Sequence, residues 1–184
     1  MQFNRFLPGK IALGGVLTAL CVVCMFLTNL IPIATYALPA LACLIVMIAV
    51  IEMGKRWALM VYAAASLLSL VLVTDVEAKL VFILFFGYYA ILKSVFESLH
   101  RPHFCIALKL AVFNLAVIAA YYAAVGLFQV PMSDFELFHV QMPLLFLAFG
   151  NVVFLLLDVA MTRMATMYMA RYHARVRRTF HFEH

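Results

Sequence analysis

Charge is scarce in this chain: Asp, Glu, Lys and Arg make up 11% of its 184 residues, against 68% hydrophobic residues. A soluble globule of that composition would leave most of its apolar side chains in water, which excludes that class. Nucleotide-handling signatures are missing as well. No GxxxxGK[ST] loop occurs, since Gly54-Lys55 lacks the earlier glycine and the following Ser or Thr, and no GxGxxG turn is present. There is no HExxH helix, and His100 and His103 stand far along the chain from His173, His181 and His184, so no metal and no cofactor is expected. Ser66, Ser69 and Ser94 have no neighbouring His to activate them, which argues against an enzyme. Four cysteines, Cys21, Cys24, Cys43 and Cys105, make no disulfide framework. The Cys21-x-x-Cys24 spacing falls inside an apolar run, where packing is the expected role.

What the sequence does hold is six long apolar runs, roughly 11–31, 38–53, 57–73, 80–99, 110–128 and 142–159. Each approaches the ~20 residues that a helix needs to cross a hydrocarbon core of about 30 Å. Strict apolar/polar alternation is absent, so a barrel is excluded and helices are the spanning structure that satisfies the backbone in lipid. The expected architecture is all-α: a polytopic membrane protein whose residues 1–184 form one compact six-helix transmembrane bundle, with a basic tail over 161–184. The first run follows Arg5 and Lys10, but it is longer than the ~7–15 apolar residues of a secretory signal core, so it is read as a retained span.

Basic residues set the expected orientation. Arg5, Lys10, Lys55, Arg56, Lys93, Arg101, Lys109, Arg163, Arg171, Arg175, Arg177 and Arg178 fall on one side, whereas the other holds Lys79 with Asp75, Glu77, Asp134 and Glu136. The positive-inside rule then puts both termini in the cytoplasm of a cell (inner or plasma) membrane. Lipid headgroups account for the formal charge of +5, and no nucleic-acid partner is expected. Between spans two and three, Gly54 supplies a very tight turn and Trp57 an interfacial anchor; Thr74 to Lys79 reads as the second outer loop, and Pro102 as a break in the second inner one. The connection from Gln129 to Gln141 mixes aromatic, acidic and turn residues and reads either as a lid or as an interfacial half-turn.

Polar side chains within the runs fall into two groups. Glu52, Lys93, Glu97, Asn114, Asn151 and Asp158 form an intramembrane polar cluster toward the cytoplasmic side, with Lys93 about 20 Å and Asp158 about 24 Å along their helices from the outer end. Structural pairing, for example Lys93 with Asp158, is the expected use of these charges, because no carboxylate stands near the midplane for a proton relay. The outer half carries Asn29, Thr35, Tyr36 and Thr74, with Tyr88, Tyr121 and Tyr122 nearer the middle, and no embedded charge. Such a lining could hold a small, flat, neutral ligand, or serve as an ordinary aromatic belt. On span one, Gly15 and Ala19 with Ala12 beside them make a small-xxx-small face suited to close helix approach, within the bundle or from a partner.

Taken together, the six compact spans, cytoplasmic termini, small-residue face of span one and absence of an ATPase motif resemble the substrate-capture component of energy-coupling-factor transporters. In that family the span-one motif is of an Ala-xxx-Ala type, matched here as Gly15-xxx-Ala19. The resemblance implies a vitamin, its precursor or a metal held near the outer face as the ligand, docking of a transmembrane coupling protein on span one, and two separate ATPase subunits. Departures from it are the short first loop and the lack of an outer His, Asp or Arg cluster. The rival expectation is a non-transporting scaffold or accessory protein of the bacterial cell envelope, which would account for the cytoplasmic clustering of Glu52, Lys93, Glu97, Lys109 and Asp158.

Overall fold

The computed structural model describes residues 7–97, 102–127 and 143–173. Within them the chain is all helical: α1 (Leu7–Leu27), a 3-10 turn (Pro32–Ala34), α2 (Ala37–Met53), α3 (Lys55–Leu72), α4 (Val76–Phe96), α5 (Pro102–Leu127) and α6 (Pro143–Arg171). Five of the six helices are long and apolar enough to cross a membrane; α2, with 17 residues, is the shorter one. At 1.5 Å per residue α2 rises only about 25 Å. The described α1 and α6 have burial on one face and apolar exposure on the other. In α1, Leu13, Leu17, Cys21, Cys24 and Met25 are buried while Ile11, Val16, Leu20 and Val23 face outward. A helix that is apolar on its outward face as well suits lipid rather than water.

Local chemistry sets the helix ends. Gly54 is the single residue between α2 and α3 and adopts φ of 90°, a left-handed conformation that only glycine takes without strain. The two helices are therefore antiparallel neighbours, as the expected tight turn required. Pro102 and Pro143 each occupy a first helical position, where the missing N–H costs nothing. Pro102 thus opens α5 rather than breaking a loop, and α5 begins eight residues earlier than the apolar run. α4 also starts early, at Val76. Asp75 accepts a hydrogen bond from the Ala78 amide (3.1 Å), and Glu77 lies in the first turn beside the positive helix end. Lys79, read as a loop residue, is helical and reaches back to the Val73 carbonyl at 3.1 Å.

α4 contains one wide π turn, Phe82–Phe86, in which the Gly87 amide bonds back to the Phe82 carbonyl. Phe82 and Gly87, five residues apart, consequently meet the same side chain: the Tyr62 ring lies 6.3 Å from that of Phe82 and fills the space a Cβ on Gly87 would need. The Tyr62 hydroxyl donates to the Ile83 carbonyl at 2.8 Å. Below this turn an aromatic core forms, with Phe113 and Phe154 stacked at 4.8 Å and Phe85 and Tyr89 packed against Phe154. It joins α4, α5 and α6. All four cysteines are free and buried, and Cys21 points its thiol at the Ala42 carbonyl.

Candidate functional site

Lys93 and Glu97 of α4 and Lys109 of α5 gather around Asp158 of α6. Lys93 Nζ lies 2.5 Å from Asp158 Oδ1 and 2.6 Å from Glu97 Oε1, and donates to the Thr162 hydroxyl at 2.7 Å. From α5, Lys109 reaches the other oxygen of Asp158 at 2.8 Å and Glu97 at 3.2 Å. The Tyr89 hydroxyl donates to Asp158 Oδ1 at 2.6 Å. Two ammonium groups and two carboxylates cancel, and Lys93 is only 3% exposed while Glu97 is 45% exposed. Ions taken out of water cost several kcal/mol each unless paired and hydrogen-bonded, and here both oxygens of Asp158 are occupied. The arrangement ties three helices into one unit.

Two turns along α6, Asn151 donates to Asn114 Oδ1 at 3.1 Å, and Asn114 in turn donates to the Leu110 carbonyl. Asn151 Oδ1 is buried without a hydrogen-bond partner. Glu52 stands apart from the Asp158 group. At the end of α2, its fully buried side chain accepts from the Tyr168 hydroxyl and faces His173 Nδ1, both at 2.9 Å and both from the end of α6, while its Oε2 is unpartnered. The expected polar cluster is thus two clusters and an amide pair. Tyr89, Thr162, Tyr168 and His173 are members that sequence reasoning missed. The available signal was spacing: Tyr89 precedes Lys93 by four residues and Thr162 follows Asp158 by four, so each shares a helix face with a charge.

At the opposite end of the bundle, the connection before α2 is hydrogen-bonded to the connection before α4. Asn29 donates to the Leu72 carbonyl (3.2 Å) and accepts from the amides of Thr74 (2.9 Å) and Asp75 (3.4 Å). Thr35 donates to Asp75 Oδ2 at 3.0 Å, and the Tyr36 hydroxyl to Glu77 Oε1 at 2.8 Å. Partial burial, then the bond to Glu77 and the charges of Glu77 and Asp75, push the Tyr36 hydroxyl pKa well above its ordinary value. Asn29, Thr35, Tyr36 and Thr74 therefore come together as a latch between two connections. Tyr88 lies elsewhere, donating to the Leu84 carbonyl and meeting the Tyr62 ring edge-on. Tyr122 is on an outward face, 70% exposed. The side chain of Tyr121, the connection 129–141 and the tail from 174 onward lie outside the described residues.

Ala12, Gly15 and Ala19 all face outward from α1, and a Cβ on Gly15 would meet nothing within 4 Å. Gly14 is the inward neighbour, packing toward Val61 and Met53. Among the described residues no group of three or more His, Cys, Asp or Glu could hold a metal ion. No family model matches the sequence, and no curated protein or solved structure matches it.

Proposed function

We propose that this chain is the membrane-embedded capture subunit of an uptake system of the energy-coupling-factor type, with both termini cytoplasmic, and that it has no catalytic activity of its own. The observation that carries the reading is the uncovered Ala12, Gly15 and Ala19 face of α1, which the fold leaves free for a helix of a coupling protein while the other face of α1 is buried. A small neutral molecule such as a vitamin or its precursor would enter from the end bearing Asn29, Thr35, Tyr36 and Thr74, exchanging latch hydrogen bonds for bonds to the ligand. Separate ATPase subunits supply the energy. Two measurements test this. One compound of a vitamin panel should stabilise the purified protein, by about 2.7 kcal/mol at a hundredfold excess over Kd. Gly15→Leu should weaken retention of a coupling protein without loss of folding. A panel without effect, together with partner retention unchanged in Gly15→Leu, refutes the proposal.

A second reading, a non-transporting scaffold of the cell envelope, is favoured by the concentration of charge at the basic end, where Lys93, Glu97, Lys109 and Asp158 join three helices and Glu52 joins α2 to the end of α6. It predicts protein partners that depend on the 175–178 arginines or on the Lys93, Glu97 face, with no response to any solute. Co-purification in mild detergent distinguishes the two.

A further inference from the structure

On the seam between α2 and α6 lies an apolar groove of about 240 Å³, lined by Met47, Ile48 and Ile51 on one wall and by Met164, Tyr168 and Arg171 on the other. α2 ends at Met53 beside the end of α6 at Arg171, and Tyr168 and His173 reach Glu52 there. At 29 residues α6 rises about 43 Å, more than the ~30 Å hydrocarbon core, so its last turns stand at the headgroup level. Arg171 is exposed there, and no ion pair is formed by it among the described residues. Glu52 of α2 is turned inward and engaged by Tyr168 and His173 rather than by Arg171.

We propose that this groove is a binding site for one anionic phospholipid. Part of an acyl chain lies against Met47, Ile48, Ile51 and Met164, and the headgroup phosphate accepts hydrogen bonds from the Arg171 guanidinium. The chemistry of the occupant follows from the lining. A flexible methionine-rich wall adapts to a hydrocarbon chain, and an arginine that pairs with no carboxylate among the described residues matches a phosphate, with which its fork forms paired hydrogen bonds. The inference rests on the membrane placement of the helices and is independent of whether the protein captures a solute.

Native mass spectrometry of the full chain released from nanodiscs, and thermal melting in detergent with added lipid, test it using dioleoyl phosphatidylglycerol against dioleoyl phosphatidylcholine. One phosphatidylglycerol is expected to stay bound, with phosphatidylcholine retained far less. Arg171→Ala should weaken phosphatidylglycerol binding about fivefold, the effect of one basic residue at an anionic surface, while Arg171→Lys retains most of it. Arg163→Ala, on α6 but not on the groove, should leave binding unchanged, and Ala165→Phe, which fills the groove wall, should reduce retention of the lipid with the melting temperature of the lipid-free protein kept as the folding control. Equal retention of both lipids, equal losses from Arg163→Ala and Arg171→Ala, or full binding in Arg171→Ala would each overturn the proposal. If Arg171→Ala fails to fold, Arg171→Lys against Ala165→Phe decides: loss in the first with retention in the second refutes it.

Discussion

Replacing Asp158 by Asn keeps the shape of the side chain and removes the more buried of the two carboxylates that both ammoniums share. Lys93 and Lys109 would be left with Glu97 alone, whose carboxylate is 45% exposed and so is partly screened by solvent. Removing one partner of a buried ion pair costs about 3–5 kcal/mol, and the exposure of Glu97 places the expected loss near the lower end, about 3 kcal/mol. Lys109→Met alone leaves the opposite imbalance, with two carboxylates facing Lys93, and should also destabilise. Combining the two substitutions restores neutrality, because Lys93 and Glu97 remain a pair at 2.6 Å. The double variant is therefore expected to lose less than the sum of the single losses, by about 1–3 kcal/mol. Equilibrium unfolding in mixed micelles with rising dodecyl sulfate fraction, followed by circular dichroism and checked for refolding, measures all four proteins. Additivity within about 0.5 kcal/mol, or an Asp158→Asn protein as stable as the parent, would refute the view that these charges act as one neutral clamp.

Other expectations concern positions away from the clamp. Gly54→Ala forces a Cβ into the left-handed region at φ 90° and should lower stability by about 1–2 kcal/mol in the same unfolding assay, although nothing crowds the site. Gly87→Ala meets the Tyr62 ring and the Phe82 carbonyl and should cost about 1–3 kcal/mol, with Tyr62→Ala recovering part of it in the double variant. Asn29→Ala removes hydrogen bonds to three main-chain groups and should speed amide exchange at Thr74 and Asp75, while amides within α3 stay protected. The Tyr36 hydroxyl has its folded pKa raised above the ordinary 10.0, so its bond to Glu77 contributes fully below pH 10 and is lost as pH rises through the raised value. Tyr36→Phe should therefore flatten the alkaline limb of the stability profile and leave the neutral region lowered.

Composition and run length made the helical character and five of the long apolar elements legible, because a hydrophobic stretch of that length has few alternatives. Boundaries were less legible. The apolar runs mark where a helix can sit in hydrocarbon, but Asp75, Pro102 and Pro143 mark where one can start, and the first two lie in stretches that polarity alone assigns to loops. The meeting of Lys93 with Asp158 was readable from depth, since both fall at similar heights on their helices. Glu52 shows the limit of that argument: depth grouped it with the other charges, whereas its side chain turns to Tyr168 and His173 at the end of α6 and makes no bond to the charges of α4 and α5. Lateral order depends on packing between helices, and the near-uniform apolarity of these surfaces leaves it almost no trace in the residue pattern.

The wide turn in α4 splits that helix into two halves whose faces are out of phase. One residue more than an α-helical turn requires rotates everything after Gly87 by about 100°. Tyr89 and Lys93 owe their common bearing toward α6 to that phase shift, so shortening the Phe82–Phe86 segment by one residue would swing the ammonium of Lys93 away from Asp158 without altering any side chain of the clamp. The aromatic stretch well inside the apolar core is in this sense a dial for the ammonium about two turns away.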